Sequence, residues 1–532
     1  SHSKKAAAFL SNPDKVTRHD QTFWGIREKR DIQAAMLPEW EDLREHASQI
    51  KEHTLTHLAD YLEKFAKNLE SNGVIVHWAK DAQEFNEMVY GILESHKVKK
   101  LVKSKSMLTE ECEMNPYLIK RGINVVESDL GERILQLMHL KPAHIVMPAI
   151  HLTRDEIGEM FEEKGISKEK GNHDPAYLTR CAREDLRGDF MDADAGLTGC
   201  NFGVAATGDC VVCTNEGNAD MSTSVPKLHI VAMGIEKVIP DYDSLAVFQR
   251  LLARSGTGQP STAFTSQFRK ARPGGEMHVI LVDNGRSDMI ANKEHWMTLK
   301  CIRCGACMNT CPVYRRSMGY SYSYFIPGPI GVNLGMLRNP KLHSGNVSAC
   351  SLCLSCDHVC PTKVTPGSQI YSWRQELEKF GTENKQKKYM AKAMTKLYGN
   401  YTIYDIATRY AYLANYVPKQ LLDNKLNPWS EGHEMMQFPK KPFHKIYRQA
   451  MKELKEERKK SKGFRFVVRQ RGKDAMVTPS VYGKVFNVWK WTANIADDIT
   501  PHSGRHYFGT NMHKSGIPTT MLSQVMGHAD GT

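Results

Sequence analysis

Two cysteine motifs of identical spacing constrain this 532-residue chain more than any other feature of its sequence. Each motif reads C-x2-C-x2-C-x3-C-P. The motifs comprise Cys301, Cys304, Cys307 and Cys311, then Cys350, Cys353, Cys356 and Cys360. A disulfide framework is not expected in a long chain whose start lacks the apolar core of an export signal. Cysteines clustered in this way therefore indicate a metal-binding domain.

The spacing is that of ferredoxins with two [4Fe–4S] clusters, in which the fourth cysteine of each motif binds the other cluster. Three closely spaced thiolates wrap one face of a cubane, and the same turn cannot deliver the fourth. The sequence therefore predicts two [4Fe–4S] clusters. We assign the first to Cys301, Cys304, Cys307 and Cys360, and the second to Cys350, Cys353, Cys356 and Cys311.

Four thiolates can also hold tetrahedral zinc, so a pair of zinc sites is the alternative interpretation. Zinc ribbons usually pair two C-x2-C units, whereas these motifs are triplets with a trailing Cys-Pro, which favours iron. The 38 residues between Cys311 and Cys350 exceed the spacer of a compact ferredoxin. That length is typical of the helical two-cluster domain of respiratory dehydrogenase subunits, which transfers single electrons.

The net charge of +13 is concentrated in one short run. Residues 440–473 contain 14 Lys and Arg and three acidic residues, a net charge of +11 that leaves only +2 for the other 498 residues. A run of this kind is usually a solvated helix or linker. We therefore do not expect the body of the chain to bind nucleic acid.

Apolar periodicity predicts the organisation of the remaining chain. Residues 14–70 should form long amphipathic helices, and strands are expected at GVIVHWA, KKLVKSKS, GINVVESD, AHIVMPAI, LHIVAMGI and MHVILVDN, with a hairpin at NFGVAATGDCVVCTNEG. Strands that alternate with helices indicate a mostly parallel α/β sheet. We expect a helical segment at residues 1–70, an α/β domain at 71–290 and an α-helical ferredoxin domain at 291–371. A helical region at 372–450 and a basic linker with a tail at 451–532 should follow.

Short motifs of the N-terminal half form a distinctive series. They are Lys103–Met107, Glu127–Glu132, His144–Pro148 with His151, Thr198–Gly203, Ala206–Gly208, Thr214–Asn218 and Asp283–Arg286. In this order, and followed by the two cysteine motifs, they resemble the LutB-type iron–sulfur proteins of bacterial L-lactate utilization systems. The resemblance runs from about residue 10 to residue 450.

The resemblance implies a lactate-utilization domain similar in fold to the ribose-5-phosphate isomerase and CoA-transferase group. It also implies an electron-transfer role in the oxidation of L-lactate to pyruvate, together with two other subunits. One position differs, because the family often has Glu-Thr-Gly where this chain has Ala206-Thr207-Gly208. If that acid has a catalytic role in the family, this domain has lost that role.

Several residues of the α/β domain are candidates for binding a small carboxylate. Glu127, Asp129, Glu132, His151 and Glu216 are titratable and lie near predicted strand ends, where open α/β sheets place ligands. The segments Thr214–Asn218 and Gly196–Gly199 are expected to be loops with free backbone N–H groups. Each of these acids can instead be an ordinary cap or surface residue.

Three further cysteines, Cys200, Cys210 and Cys213, lie within 14 residues of one another. Cys210 and Cys213 are expected in one strand, where they would face opposite sides or pack as small apolar side chains. We therefore expect no third metal site.

The C-terminal segment does not fit the family. Residues 500–510 and 522–528 resemble the catalytic half of a tyrosine recombinase of the phage-integrase type, in which His502, Arg505 and His528 would hold the scissile phosphate. The expected nucleophilic Tyr is not found after His528, so we expect this tail to be inactive as a recombinase. We interpret it as a gene fusion, frameshift or join near residues 450–463.

Three functions follow as hypotheses. The first is an iron–sulfur electron-transfer subunit of an L-lactate-oxidising complex, an electron carrier and not the catalytic subunit. The second is a stand-alone iron–sulfur oxidoreductase that acts on a small carboxylate, and the third is DNA binding through the tail. The sequence contains no transmembrane run of about 18 apolar residues, so we expect a cytoplasmic protein.

Overall fold

Parallel strands form the central sheet in the computed structural model, which describes residues 2–377, 379–380, 385–418, 437–460, 467–470 and 473–476. The chain divides into two compact units, residues 1–383 and 384–532, and each is described by itself. The strands of the first unit are β1 Ile75–Ala79, β2 Lys100–Lys103, β3 Asn124–Glu127, β4 Ala195–Gly199, β5 Phe202–Val204, β6 Asp209–Thr214, β7 Leu228–Gly234, β8 Val238–Ile239, β9 Phe264–Phe268 and β10 Glu276–Val282.

The α-helices of the first unit surround these strands and continue beyond them. They are α1 His2–Leu10, α2 Pro13–Ala35, α3 Trp40–Thr56, α4 Leu58–Ser71, α5 Ala82–Ser95, α6 Met107–Glu111, α7 Met114–Ile119, α8 Leu130–Leu137, α9 Arg154–Glu163, α10 Pro175–Met191, α11 Asn218–Ser224, α12 Tyr242–Gly256, α13 Arg286–Ala291, α14 Ala306–Thr310, α15 Pro312–Ser317, α16 Gly328–Arg338, α17 Pro340–Ala349, α18 Ser355–Val359 and α19 Pro366–Glu376. Shorter 3₁₀ turns lie at Ile235–Lys237, Trp296–Lys300 and Gly319–Ser321.

The main sheet has the strand order β1-β10-β7-β4-β2-β3, and every neighbouring pair is parallel. Along β10, Ile280 and Val282 pack on one face of the sheet, while Val279 and Leu281 pack on the other. Because side chains alternate along a strand, a sheet covered on both faces needs continuous apolar runs. This is why the apolar runs in the sequence predicted five of the six strands correctly, β4 being the exception.

A second, four-stranded sheet has the order β8-β5-β6-β9. Strands β5 and β6 pair antiparallel and form the predicted hairpin, with Phe202 opposite Val211. Cys210 is fully buried in the core beside α4, whereas Cys213 packs against a different apolar cluster. The expectation that these two thiols face opposite sides of one strand is confirmed.

The segment AHIVMPAI, residues 143–150, is not the strand that the sequence predicted. It forms bends and turns, and its side chains Ile145, Val146, Met147 and Ile150 join the apolar core of the cysteine-rich region. An apolar run of this length satisfies either a buried strand or a buried loop, and periodicity alone does not separate the two.

The N-terminal helices brace the cysteine-rich region. Phe23 of α2 is fully buried in that core, and His19 Nδ1 lies 2.6 Å from the Arg315 carbonyl oxygen. The guanidinium of Arg44 in α3 donates to the Cys360 carbonyl oxygen at 3.0 Å. The predicted amphipathic helices are therefore confirmed, and their buried faces contact the second cysteine motif.

Gly196 in β4 marks the closest approach of α11 to the sheet, since a Cβ at this position would lie 1.6 Å from the Ser222 carbonyl oxygen. We expect Gly196→Ala to lower the apparent free energy of unfolding by about 2–3 kcal/mol, because backbone must move to make room. Urea denaturation measures this change. Gly91→Ala in α5 is the matched control, since nothing lies within 4 Å of its added Cβ. Equal effects of the two substitutions would show the close approach to be wrong.

The described residues of the second unit form helices and one pair of short strands. Its elements are α20 Lys385–Gly399, α21 Tyr401–Tyr410, a 3₁₀ turn Ala411–Tyr416, α22 Phe443–Lys460 and an antiparallel pair, β11 Val467–Gln470 and β12 Lys473–Met476. His444 Nε2 lies 2.7 Å from Asp405 Oδ1 and joins α22 to α21. The first part of the basic run is thus a helix, one of the two forms expected for it, and the helix continues to Lys460, past the start of the expected linker at residue 451. Residues 477–532, which include the recombinase-like positions, lie outside the described residues.

Candidate functional site

The two cysteine loops adopt the same backbone conformation. The third residue of each loop has a positive φ, 62° at Arg303 and 55° at Leu352, and so has the fifth, 82° at Gly305 and 58° at Leu354. Non-glycine residues adopt this left-handed conformation only when the surrounding structure requires it. Each loop then enters a short helix, α14 or α18, and these two helices pack against each other. The two motifs are therefore one structural unit used twice.

Main-chain N–H groups point at the cysteine sulfurs. The N–H two residues after the first cysteine donates to Sγ at 3.3 Å in Cys301 and at 3.4 Å in Cys350. Cys360 Sγ accepts the N–H of Val364 at 3.3 Å. Such N–H···S bonds stabilise thiolates and help to set the reduction potential of a bound cluster.

The first three thiols of the first motif lie close enough to Cys360 for their charges to interact. Burial raises the pKa of Cys304, and the neighbouring Cys360 and Cys301 thiolates raise it further. Burial also raises the pKa of Cys307, with added contributions from Cys301, Cys304 and Cys360. These four sulfurs come from both motifs, as the assignment of the first cluster requires.

The other four thiols lie together in the same way. Burial raises the pKa of Cys311 to about 12, and the thiolates of Cys350 and Cys353 act in the same direction. Burial raises the pKa of Cys356, to which Cys307 and Cys311 also contribute. Cys356 is therefore close to a thiol of each set, and the two sets are adjacent.

These donor sets fit iron–sulfur clusters better than single zinc ions. Sulfurs on one tetrahedral zinc lie on the order of 3.8 Å apart, given zinc–sulfur bonds of about 2.3 Å. In the part of the chain that the structure describes, three groups of possible metal ligands have their ligand atoms within 4.8 Å of one another. None of these groups contains a cysteine. The thiols are thus spread around a larger volume, as a cubane requires. When bound, each cluster would accept and donate one electron at a time.

The two sets differ in exposure and in charge. Cys353 of the second set is exposed, whereas Cys304 and Cys360 of the first are buried. Lys51 and Lys237 lie near Cys301 of the first set. Burial lowers the pKa of both lysines, and the Cys301 thiolate acts in the opposite direction. Cys356 of the second set has the acidic Asp357 beside it, with its Sγ 3.5 Å from Oδ1.

A cavity of about 600 Å³ lies between the α/β sheet and the first cysteine loop. Residues that follow the carboxyl ends of β2, β4 and β7 line it, among them Ser104, Cys200 and Lys237. Arg303 and Cys304 form part of the opposite wall. Open α/β sheets bind their ligands at this edge.

Two of the predicted acids, Asp129 and Glu216, line this cavity. Glu216 Oε2 accepts the N–H of Leu130 at 3.1 Å, and Asp129 Oδ1 accepts the N–H of Glu132 at 3.0 Å. Partial burial and the nearby Asp129 carboxylate raise the pKa of Glu216 to about 7. Glu216 can therefore hold or release a proton near neutral pH.

Glu127 and Glu132 belong instead to a buried charge cluster around Lys103. Lys103 Nζ lies 2.9 Å from Glu127, 3.5 Å from Glu110 and 3.7 Å from Glu132, and its side chain is fully buried. Burial alone would lower the pKa of Lys103, but the three carboxylates raise it. The ammonium group already occupies the centre of these acids, so we interpret them as a structural ion cluster.

His151, the remaining candidate from the sequence, does not line the cavity. Its Nε2 lies 3.2 Å from the Tyr320 hydroxyl, and its carbonyl oxygen accepts from Arg18 at 3.0 Å. Burial lowers the pKa of His151 to about 4. This histidine joins the 143–150 loop region to the cysteine-rich domain.

Of the two segments expected to be loops, one is a strand and the other is a connection. Gly196–Gly199 is not a loop, because it lies within β4 and its backbone pairs with β2 and β7. Thr214–Asn218 does connect β6 to α11. The Ala206-Thr207-Gly208 turn packs against α4, where a Cβ on Gly208 would lie 2.8 Å from the Leu69 nitrogen. It does not line the cavity, so an acid there would not reach this site.

An ion network that sequence reasoning missed joins the α/β domain to the cysteine-rich domain. Arg286 bonds both oxygens of Glu111, at 3.1 and 2.9 Å, and also bonds Glu236. Arg338 of α16 reaches the same Glu111. Burial would raise the pKa of Glu236, but Arg286, with Lys237 and Arg303, lowers it to about 2. The only signal in the sequence was the Asp283–Arg286 motif.

His144 fixes the 143–150 loop against the first cysteine loop. Its Nδ1 accepts the N–H groups of Val146 and Met147 at 3.0 Å, and its Nε2 lies 3.0 Å from Asn309 Oδ1. Nε2 therefore carries the proton of the neutral ring. Burial lowers the pKa of His144 to about 3.

We expect acid to destabilise the protein through His144. Its pKa is lower in the folded chain than the ordinary 6.5, so its stabilisation is complete above that pH and is lost as the pH falls. At pH 5 the loss is about 2 kcal/mol, since each unit of pKa shift corresponds to about 1.4 kcal/mol. Chemical denaturation at several pH values between 7 and 5 gives the free energy of unfolding as a function of pH. This free energy should fall less steeply with decreasing pH in His144→Gln than in wild type. His46→Gln, at an exposed position of α3, is the control, and identical slopes for all three proteins would contradict this expectation.

Family models match the chain in three places. A LUD domain model matches residues 62–282, a 4Fe-4S dicluster domain model residues 297–364, and a phage integrase family model residues 437–532. The fold and the cysteine loops thus define an iron–sulfur protein with a parallel-sheet LUD domain, a dicluster domain and a helical C-terminal region. The resemblances noted in the sequence are confirmed.

Full-length relatives then show the family. Lactate utilization protein B of Oceanobacillus iheyensis is 38% identical over 425 residues, which are 78% of this chain and 88% of the relative. The protein of that name from Bacillus cytotoxicus is 38% identical over 430 residues, 78% of this chain and 90% of the relative. The chain belongs to the lactate utilization protein B family, and its cysteine-rich part is a 4Fe-4S dicluster domain.

Two other comparisons complete the findings. The chain is 40% identical over 352 residues to the Escherichia coli protein named "uncharacterized electron transport protein YkgF", covering 65% of this chain and 74% of the relative. A DUF162 family protein from Deinococcus radiodurans has a crystal structure that matches with a TM-score of 0.24 and 14% identity, over 42% of this chain and 98% of that one. Within the described residues, no helix has the length and apolar character needed to cross a bilayer.

Proposed function

We propose that this chain is the iron–sulfur electron-transfer subunit of a complex that oxidises L-lactate to pyruvate. It would hold two [4Fe–4S] clusters, one on Cys301, Cys304, Cys307 and Cys360, the other on Cys350, Cys353, Cys356 and Cys311. The observation that carries the proposal is the different exposure of one thiol in each set. Cys304 of the first set is buried and lines the cavity, whereas Cys353 of the second set is exposed at the surface.

This placement gives the chain an inner and an outer electron site. A bound cluster handles single electrons, whereas lactate oxidation releases two, so a pair of adjacent clusters suits the reaction. The relatives named lactate utilization protein B support the substrate, and the name of the Escherichia coli relative supports electron transport. We propose two further lactate-utilization subunits as partners, one of which carries out the chemistry on lactate.

Purification of the tagged full-length chain from its native host tests this proposal. We expect two other subunits to co-purify, and the complex to reduce a dye acceptor when L-lactate is added. The isolated chain should hold its clusters and fail to turn over lactate. A chain that purifies alone from lactate-grown cells, with the dye-reducing activity in other fractions, would contradict the proposal.

A stand-alone oxidoreductase is the second candidate, and the cavity next to Cys304 favours it. In that case the α/β domain itself would act on a small carboxylate and the clusters would be its acceptor. Lactate turnover by the isolated chain with a dye acceptor separates the two candidates. Absence of turnover in a preparation with intact clusters would exclude the second.

DNA binding through the tail is the third candidate, favoured by the phage integrase match to residues 437–532. Its candidate residues His502, Arg505 and His528 lie outside the described residues. Contacts to phosphates make DNA binding weaken with salt. Salt-sensitive DNA binding that is unchanged in Arg505→Ala would place the contacts elsewhere and exclude a role for the recombinase-like residues.

A further inference from the structure

The cavity between the sheet and the first cysteine loop has polar groups that the protein itself does not satisfy. Ser104 is 2% exposed, and its hydroxyl has no hydrogen-bond partner among the described residues. The Nη1 atom of Arg303 is also buried without a partner. Both residues line the cavity. Buried donors without partners are costly, and a ligand that accepts their hydrogen bonds removes that cost.

Three of the four basic side chains of the cavity are not tightly paired with its acids. Arg286 is paired with two carboxylates, but Lys105 Nζ donates only to the Val146 carbonyl oxygen, at 2.7 Å. Lys237 has neither a hydrogen bond nor an ion pair to any residue that the structure describes, and Arg303 is 3.9 Å from the Glu236 carboxylate. Three basic groups therefore remain available to a ligand. Burial lowers the pKa of Lys237, and a bound anion beside it would act in the opposite direction.

The acids of the cavity are engaged elsewhere. Glu111 and Glu236 are bound to Arg286, while Asp129 and Glu216 accept backbone N–H groups at the start of α8. Among the described residues, three groups of acidic and histidine side chains have the spacing of a metal site. None of the three groups lines this cavity. The charge pattern thus favours an anion over a metal cation. The apolar wall formed by Met107, Val146, Met147 and Ile326 suits the carbon part of such a ligand.

We propose that this cavity binds an organic anion, whose carboxylate or phosphate group Lys105, Lys237 and Arg303 hold beside the first cysteine loop. The cavity volume of about 600 Å³ is within the usual range for small-molecule sites and exceeds the needs of a three-carbon acid. A 2-hydroxy or 2-oxo acid and a larger anionic redox cofactor share this chemistry. The inference depends on the proposed function only where it takes Cys304 to be a cluster ligand.

Calorimetric titration of the full-length, cluster-loaded chain with L-lactate, pyruvate or flavin mononucleotide tests the inference. We expect at least one of these anions to bind, and Lys237→Met to weaken that binding roughly tenfold to a hundredfold, because a charged hydrogen bond is lost. Lys227→Met is the matched control, since Lys227 is exposed and precedes β7 at the other edge of the sheet. Lys237→Arg should recover part of the affinity.

The same titrations followed by electron paramagnetic resonance of the reduced protein give a second readout. Binding beside Cys304 should change the signal of one cluster in wild type and in Lys227→Met, and should not do so in Lys237→Met at the same anion concentration. Response to lactate or pyruvate identifies a small acid, and response to the flavin alone identifies a cofactor. Failure of all three anions to bind, or equal binding by both Met variants, would overturn the inference. Iron content, measured separately, reports whether the cluster assignment itself has failed.

Discussion

Replacing Arg286 with methionine is expected to lower the apparent free energy of unfolding by about 3–5 kcal/mol. The side chain is 5% exposed and lies between two carboxylates, Glu111 at 8% and Glu236 at 2%. Without the guanidinium, the negative charges of Glu111 and Glu236 would remain buried with too little positive charge beside them. Because Glu111 also binds Arg338 of the cysteine-rich domain, the loss should weaken the junction between the two domains.

The control for this prediction is Arg154→Met, whose side chain is 69% exposed and 4.0 Å from Asp155. An exposed pair of this kind contributes about 0–1 kcal/mol. Thermal unfolding of both variants under the same anaerobic conditions gives the comparison. Adding Glu111→Gln and Glu236→Gln to Arg286→Met should restore part of the stability, since it removes the uncompensated charges. Equal midpoints for Arg286→Met and Arg154→Met would show that the network has no stabilising role.

Replacing Cys311 with serine is expected to remove one cluster and spare the other. Although Cys311 belongs to the first motif, its thiol lies with those of the second motif. We therefore expect about four irons per chain instead of about eight, with the remaining cluster on the first set. Iron analysis and electron paramagnetic resonance of the anaerobically purified variant measure the outcome.

Cys181→Ser is the control for the Cys311 substitution. Cys181 is buried in α10 among Ile134, Met160 and Phe161, away from both cysteine loops. It should keep all its iron and lose only some stability. If Cys311→Ser instead damaged the cluster on Cys301 and Cys304, the exchange of ligands between the motifs would be wrong.

The sequence predicted five of the six strands of the central sheet because buried parallel strands need continuous apolar runs, as in β7 and β10. The same rule failed for residues 143–150, whose apolar side chains pack in the core of the cysteine-rich domain. Gly196–Gly199 was mistaken for a loop because glycine normally weakens strands. Here glycine is needed at position 196 because the Ser222 backbone passes so close to it.

The cluster ligands could be predicted because their spacing is local, and three thiolates within one turn have few other uses. The cavity could not, because Lys105, Lys237 and Arg303 come from three separate parts of the chain and each looks like a surface residue in the sequence. Only Asp129 and Glu216 of the five predicted residues line it. Charged groups that meet through tertiary packing carry no local pattern.

The most direct measurement of the central proposal is the metal content of the anaerobically purified full-length chain, combined with electron paramagnetic resonance after dithionite reduction. The proposal predicts about eight irons and about eight inorganic sulfides per chain, with signals from two reduced clusters. Stoichiometric zinc without iron would contradict it. So would a wild-type chain that, after reconstitution with iron and sulfide, holds only about four irons.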